Sequence, residues 1–185
     1  TLNAGVDIDI SANITTANGN LTLEANNESI SGRGNNRYSD IDISSTVNLG
    51  TGDLNITLGN SNTTGSYDIN LSAATINANN ITITDSATNT SQPSDLGNFT
   101  ASSAINITST NKYLNVSGAS LTANGTGTAV NITSKYLSGS GSVSTPNGIW
   151  RATNTDTSSN GGNFGGFSGN FIQYDYSSGD AIQGT

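Results

Sequence analysis

Short runs in which aliphatic residues alternate strictly with Asp, Asn or Thr recur along most of this chain. They include Val6-Asp7-Ile8-Asp9-Ile10, Leu21-Thr22-Leu23, Asp40-Ile41-Asp42-Ile43, Leu54-Asn55-Ile56-Thr57-Leu58 and Asp68-Ile69-Asn70-Leu71. The series continues through Ile81-Thr82-Ile83, Ile105-Asn106-Ile107, Leu114-Asn115-Val116 and Val130-Asn131-Ile132. A period of two puts the aliphatics on one face of an extended strand and the polar residues on the other. Between the runs lie Gly, Asn and Ser in place of helix formers, so no helix of note is expected.

Such strands must share a narrow core, because the chain has little apolar material. Hydrophobic residues make up 32% and charged residues 10% of the 185, against roughly 45–50% and 25% in ordinary domains. Ser and Thr together number 53, Asn 28 and Gly 22, while Pro numbers only 2. A disordered chain would lack regular β-branched alternation, so the sequence reads as folded, with one domain or one run of stacked repeats. An antiparallel sandwich or barrel and a parallel β-helix both suit many short strands.

Self-similarity favours the second. The start at Asp68-Ile69-Asn70-Leu71-Ser72 is echoed at Ala104-Ile105-Asn106-Ile107-Thr108 and at Ala129-Val130-Asn131-Ile132-Thr133, giving spacings of 36 and 25 residues. The uneven period points to insertions near 33–38 and 86–97, within Arg33–Tyr38 and Ser86–Gly97. Coils then occupy 1–144. The Gly- and aromatic-rich segment 145–185, with the only Trp, reads as a C-terminal cap or extra-helical element. The expected fold is all-β, a right-handed parallel β-helix or solenoid with that terminal element.

Charge and composition exclude several functions. A net charge of −8 offers no basic stripe to neutralise phosphates, so neither nucleic acid nor an anionic membrane is an expected partner. No apolar stretch approaches the length of a spanning helix, and no membrane insertion is expected. Cys, Met and His are all absent. That removes disulfides, thiolate and imidazole metal sites and every nucleophile dependent on a His base, so no cofactor, metal or catalytic residue is assigned. The start at Thr1, without an initiator Met or signal segment, reads as a piece excised from something longer.

Thirteen Asn-X-Ser/Thr sequons stand at Asn13, Asn20, Asn27, Asn55, Asn62, Asn70, Asn80, Asn89, Asn98, Asn106, Asn115, Asn124 and Asn131. Alternation of Asn and Thr around an inward Ile generates Asn-Ile-Thr for sheet reasons alone, and it competes with true glycan attachment. The pairs Asp7/Asp9 and Asp40/Asp42 share outward faces at i, i+2. They could bind Ca²⁺ or act as acid and base, but a solvated face is the favoured account of them. Thr-x-Thr pairs such as Thr82/Thr84 suit the flat threonine faces that bind ice, yet they predict no single register. Trp150, Phe164, Phe167, Tyr174 and Tyr176 are candidate glycan or partner contacts through stacking on sugar rings; closing the end of the solenoid is the competing role.

Asn-Ile-Thr runs with Asn-Gly turns, as in Ala17-Asn18-Gly19-Asn20-Leu21-Thr22, are joined late in the chain by a more specific pattern. Thr145-Pro146-Asn147-Gly148-Ile149-Trp150 precedes Gly165-Gly166-Phe167 and Phe171-Ile172-Gln173-Tyr174. Together these segments resemble the two-partner secretion exoproteins, similar to filamentous haemagglutinin and most of all to the high-molecular-weight adhesins of Gram-negative bacteria. Thr145–Ile149 differs from the Asn-Pro-Asn-Gly motif of the N-terminal secretion domain in its surroundings, which places the chain downstream, in the passenger. The resemblance implies a right-handed parallel β-helix, export through an outer-membrane pore partner, and a secreted or cell-surface location. It further implies attachment to a host-cell receptor or glycan, with hexose added to sequon Asn residues by a cytoplasmic N-glycosyltransferase. A glycan-binding module using the C-terminal aromatics is the alternative. A polysaccharide-degrading β-helix enzyme is disfavoured by the scarcity of Arg and Lys.

Overall fold

A computed structural model of the chain describes residues 1–26, 38–59, 66–88, 92–155 and Phe167. Among them every regular element is a strand and none is a helix, so no helix there is long and apolar enough to cross a membrane. After the edge strand β1 (Leu2–Asn3), the first pass of the chain forms β2 (Ile8–Ile10), β3 (Ile14–Thr15) and β4 (Leu21–Ala25). The second repeats the order with β5 (Tyr38–Ile43), β6 (Thr46–Asn48) and β7 (Leu54–Leu58). In the third, β8 (Ser66–Asn70) is followed by one long strand, β9 (Thr75–Asp85), and the fourth has β10 (Ser94–Asp95) and the long β11 (Asn98–Ser109). The fifth returns to three strands, β12 (Leu114–Asn115), β13 (Ser120–Ala123) and β14 (Thr128–Ser134). The sixth holds β15 (Leu137–Ser138), β16 (Ser142–Ser144) and β17 (Ile149–Asn154).

Each strand pairs with the equivalent strand of the next pass, and every pairing among the described residues is parallel. One sheet of six strands runs β2, β5, β8, β10, β12, β15. The other has eleven, because β9 and β11 are long enough to pair with β6 and β13 at one end and with β7 and β14 at the other. The molecule is thus all-β, with two parallel sheets.

The core follows directly from the alternation. Inward residues line up from pass to pass: Leu54, Ile81, Ile105 and Val130 in one column, Ile56, Ile83, Ile107 and Ile132 in the next, and Val47, Ile76, Phe99 and Leu121 in a third. All are buried. Each such aliphatic contributes about 1.5–3 kcal/mol on removal from water, which is how a polar chain supports a fold. Turn geometry is set by the neighbouring pass. Gly50 has φ +60°, and a Cβ there would collide with the carbonyl of Ala17 one pass earlier, so only glycine fits.

The register differs from the sequence expectations at four points. The 36-residue echo joins strands of different sheets, since Ile69 pairs with Ile41 whereas Ile105 pairs with Ile81. The 25-residue spacing is genuine, because Ile105 pairs with Val130. Residues 33–37 and 89–91 lie outside the described residues, but Ser94–Asp95 of the 86–97 stretch forms β10, and Ala87 and Leu96 are buried. Ile149–Asn154 forms β17, stacked in parallel on β14, so the start of the 145–185 segment continues the repeat. Finally, Thr57, Thr84, Thr108, Thr133 and Thr153 do share one outward register. The column beside them reads Thr22, Asn55, Thr82, Asn106, Asn131, Arg151, which makes the face mixed rather than two matched threonine ranks.

Candidate functional site

The sequon asparagines sort by position. Asn55, Asn106 and Asn131 stand on the outer face of the larger sheet, half-buried, and Asn106 pairs directly with Asn131. Asn13, Asn20, Asn98 and Asn124 are exposed. The first two tie passes together, the Asn13 Oδ1 accepting from the Thr46 N–H at 3.0 Å and the Asn20 Oδ1 from the Asp53 N–H at 2.9 Å. Two amides are engaged as donors: Asn80 Nδ2 gives to Asp53 Oδ1 at 2.9 Å and Asn115 Nδ2 to Asp95 Oδ1 at 2.7 Å. Asn70 and Asn115 each bend back on their own sequon, accepting from Ser72 Oγ and Ser117 Oγ at 2.8 Å. Asn27, Asn62 and Asn89 lie outside the described residues. Among the described residues, the most accessible acceptors are therefore Asn98 and Asn124, followed by Asn13 and Asn20.

The paired acids of the sequence merge into one acidic face on the smaller sheet. Asp7, Asp40 and Asp68 form a column in which the Asp7 Oδ1 accepts from the Asp40 N–H at 3.1 Å and the Asp40 Oδ1 from the Asp68 N–H at 3.4 Å. A second column runs Asp9, Asp42, Asn70, Asp95, Asn115 and Ser138. Two carboxylates of this face, Asp68 and Asp42, are raised above the ordinary range, first of all by burial. Burial, with the hydrogen bond and charge of Asp40, raises Asp68 to about 7, while Lys112 opposes the rise. Asp42 is raised by burial and the Asp40 charge, against a hydrogen bond from Asn70. Asp53, on the other sheet, is held low by the amide of Asn80, opposed by partial burial and aided by Asn79.

A shallow hollow of about 260 Å³ opens beside the second column, lined by Asp9, Asp42, Ile43, Ser44, Asn70 and Ala73. Among the described residues no guanidinium or ammonium lines it, and no three His, Cys, Asp or Glu side chains are arranged to hold a metal ion. The arrangement offers an acidic, hydrogen-bonding surface.

Of the aromatic candidates, Trp150 and Phe167 are among the described residues. Trp150 pairs with Val130, at the far end of the inward column of Ile81 and Ile105, and is packed against the core. Phe167 meets it edge-on, with centroids 5.8 Å apart and planes at 72°, and is itself buried. Phe164, Tyr174 and Tyr176 lie outside the described residues. A second aromatic pair not singled out in the sequence, Tyr113 and Tyr136, stacks at 5.0 Å with planes 9° apart, in the turns leading to β12 and β15.

A polar corner inside the stack also went unread. Asp85 and Lys112 are both buried, with Nζ 3.5 Å from Oδ2. Ser94 Oγ donates to Asp85 Oδ2 at 2.7 Å, and the Ala87 N–H donates to Oδ1 at 3.0 Å. Parity could have found the acid: Ile81, Ile83 and Asp85 are i, i+2, i+4, so Asp85 points inward by the same rule as the isoleucines. No sequence pattern marked Lys112, which lies in a turn. No protein-family model matches the chain, and no curated protein or solved structure matches it either.

Proposed function

We propose that the chain is a right-handed parallel β-helical segment of a large secreted bacterial surface adhesin. In plan it is similar to the two-partner secretion exoproteins and most of all to the high-molecular-weight adhesins. The observation that carries this reading is the pass-by-pass parallel register, with aliphatic columns inward and columns of Asn, Thr and Asp outward. Two or three strands per pass, each paired with its counterpart in the next, suit a coil that extends a rod by one rung at a time. Parallel crossovers are right-handed in nearly all proteins, which gives the hand.

On this reading the rod supplies reach, and its outer columns supply contact with a host-cell receptor or glycan. The chain leaves the cell through an outer-membrane pore partner and resides on or is released from the surface. Exposed sequons, foremost Asn98 and Asn124, are acceptors for a cytoplasmic N-glycosyltransferase. Catalysis is no part of this proposal; among the described residues the acidic hollow has no basic group in its lining. The inward place of Trp150 favours an end-covering role over sugar stacking.

The test is adhesion. Beads coated with the purified chain should bind cultured epithelial cells saturably and be displaced by soluble chain. Binding no greater than that of beads coated with an inert protein would overturn the assignment.

A further inference from the structure

The inward column at the end of the larger sheet changes character along the stack. It begins apolar, with Ala25 paired to Leu58, and continues as Asp85, Ser109, Ser134 and Asn154. Lys112 reaches this column from the turn after β11, where its N–H donates to the Ser109 carbonyl at 3.3 Å. The lysine side chain is 0% exposed and that of Asp85 1%. Although Nζ lies 3.5 Å from Oδ2, it makes no hydrogen bond of acceptable geometry, and neither do the buried hydroxyls of Ser109 and Ser134. A buried ammonium with no hydrogen bond is costly, because its hydration is lost and the attraction of the Asp85 carboxylate at 3.5 Å offsets that loss without any hydrogen bond.

We propose that Asp85 and Lys112 condense to an intramolecular isopeptide bond. A proton passes from the ammonium to the carboxylate, and the freed amine lone pair attacks Cγ. The bond from Cγ to Nζ forms and the bond from Cγ to Oδ2 breaks. Oδ2 departs as water, carrying the transferred proton and a second one from nitrogen, so the step needs no oxidant, reductant or activating group.

The surroundings are arranged for it. The Ala87 N–H on Oδ1 stabilises the negative charge that gathers there on attack, and the Ser94 hydroxyl on Oδ2 assists its departure. Ser94 Oγ is itself fixed by accepting from the Ile69 N–H at 3.2 Å. Holding amine and carboxyl together in a dry interior replaces an intermolecular encounter with an intramolecular one, a gain that reaches many orders of magnitude in effective concentration. The Ser109 and Ser134 hydroxyls give the released water polar neighbours. The cross-link ties β9 of the third pass to the turn between β11 and β12, across a loop of 27 residues (112 minus 85). It does not depend on the adhesive reading.

The test is tryptic peptide mapping of denatured full-length chain from a host that adds no glycans. An acylated Lys112 resists trypsin, so Tyr38–Lys135 should be recovered as one internally looped peptide, lighter than its sequence by one water. Tandem fragmentation should place the cross-link at Asp85 and Lys112. Asp85→Ala should restore cleavage and yield Tyr38–Lys112 and Tyr113–Lys135 separately; because the chain is denatured first, folding of the variant does not enter. Recovery of those two peptides from the wild-type chain, or loss of water with Lys112 still cleaved, would overturn the proposal.

Discussion

Asp68 shows what outward position costs a carboxylate in this stack. Its side chain faces Asp40 one rung away, and its pKa of about 7, raised first by burial and then by Asp40, means that the folded chain holds a proton there more tightly than the unfolded chain. A raised carboxylate contributes stability that is complete below its unfolded value, near 3.8, and that is lost as pH rises through about 7. Asp68→Asn should therefore be more stable than wild type at pH 8, by on the order of 1 kcal/mol once solvent screening is discounted. The gap should close near pH 4.5, as read by urea denaturation; an equal gap at both pH values would contradict the argument. The outward parity of Asp40 and Asp42 was legible in the alternation, but their joining with Asp7, Asp9 and Asp68 was not. Which rung lies beside which is fixed by insertions between strands, and composition does not report it. Asp85 was legible by parity, whereas Lys112 became visible only when the turn after β11 brought it inward.

At the scale of elements, strands with two or more alternating aliphatics, such as β2, β5, β7 and β14, stood out in the sequence. Strands carrying a single inward residue, such as β6, β10 and β16, did not. The first halves of β9 and β11 escaped notice for a related reason, since small residues such as Ala78 and Ala101 stand inward where larger aliphatics would have marked the pattern. The junction between β10 and β11 makes a specific prediction. A Cβ on Gly97 would collide with the Leu71 carbonyl and lie 2.6 Å from the Ala74 carbonyl, both backbone atoms of the preceding pass that cannot swing aside. Gly97→Ala should destabilise by about 1–3 kcal/mol, the range of overpacking in a dense interior. At Gly19 the nearest atom is the Thr16 hydroxyl at 3.4 Å, so Gly19→Ala should stay within about 0.5 kcal/mol. Equal midpoints for the two variants in urea would show that the passes are not in such close apposition.

For the whole molecule, the all-β class, the parallel pairing and the narrow aliphatic core were legible, because alternation without helix formers leaves few other solutions. The spacing between passes was not, since the advance varies from 33 residues, Ile8 to Ile41, to 20, Asp95 to Asn115. Everything proposed about this surface, from the accessible sequons to the acidic face, depends on that register. It can be measured directly, because the chain contains no cysteine. Thr108→Cys with Thr133→Cys places two thiols on directly paired residues of adjacent passes, where a strand spacing of about 4.8 Å lies within disulfide reach. Thr108→Cys with Asn131→Cys shifts one partner by two residues along its strand, to a separation of about 8 Å that is too long to bridge without backbone movement. The account predicts that the first pair oxidises within the folded chain and the second remains free; bridging of the second pair as readily as the first would contradict the register and the surface built on it.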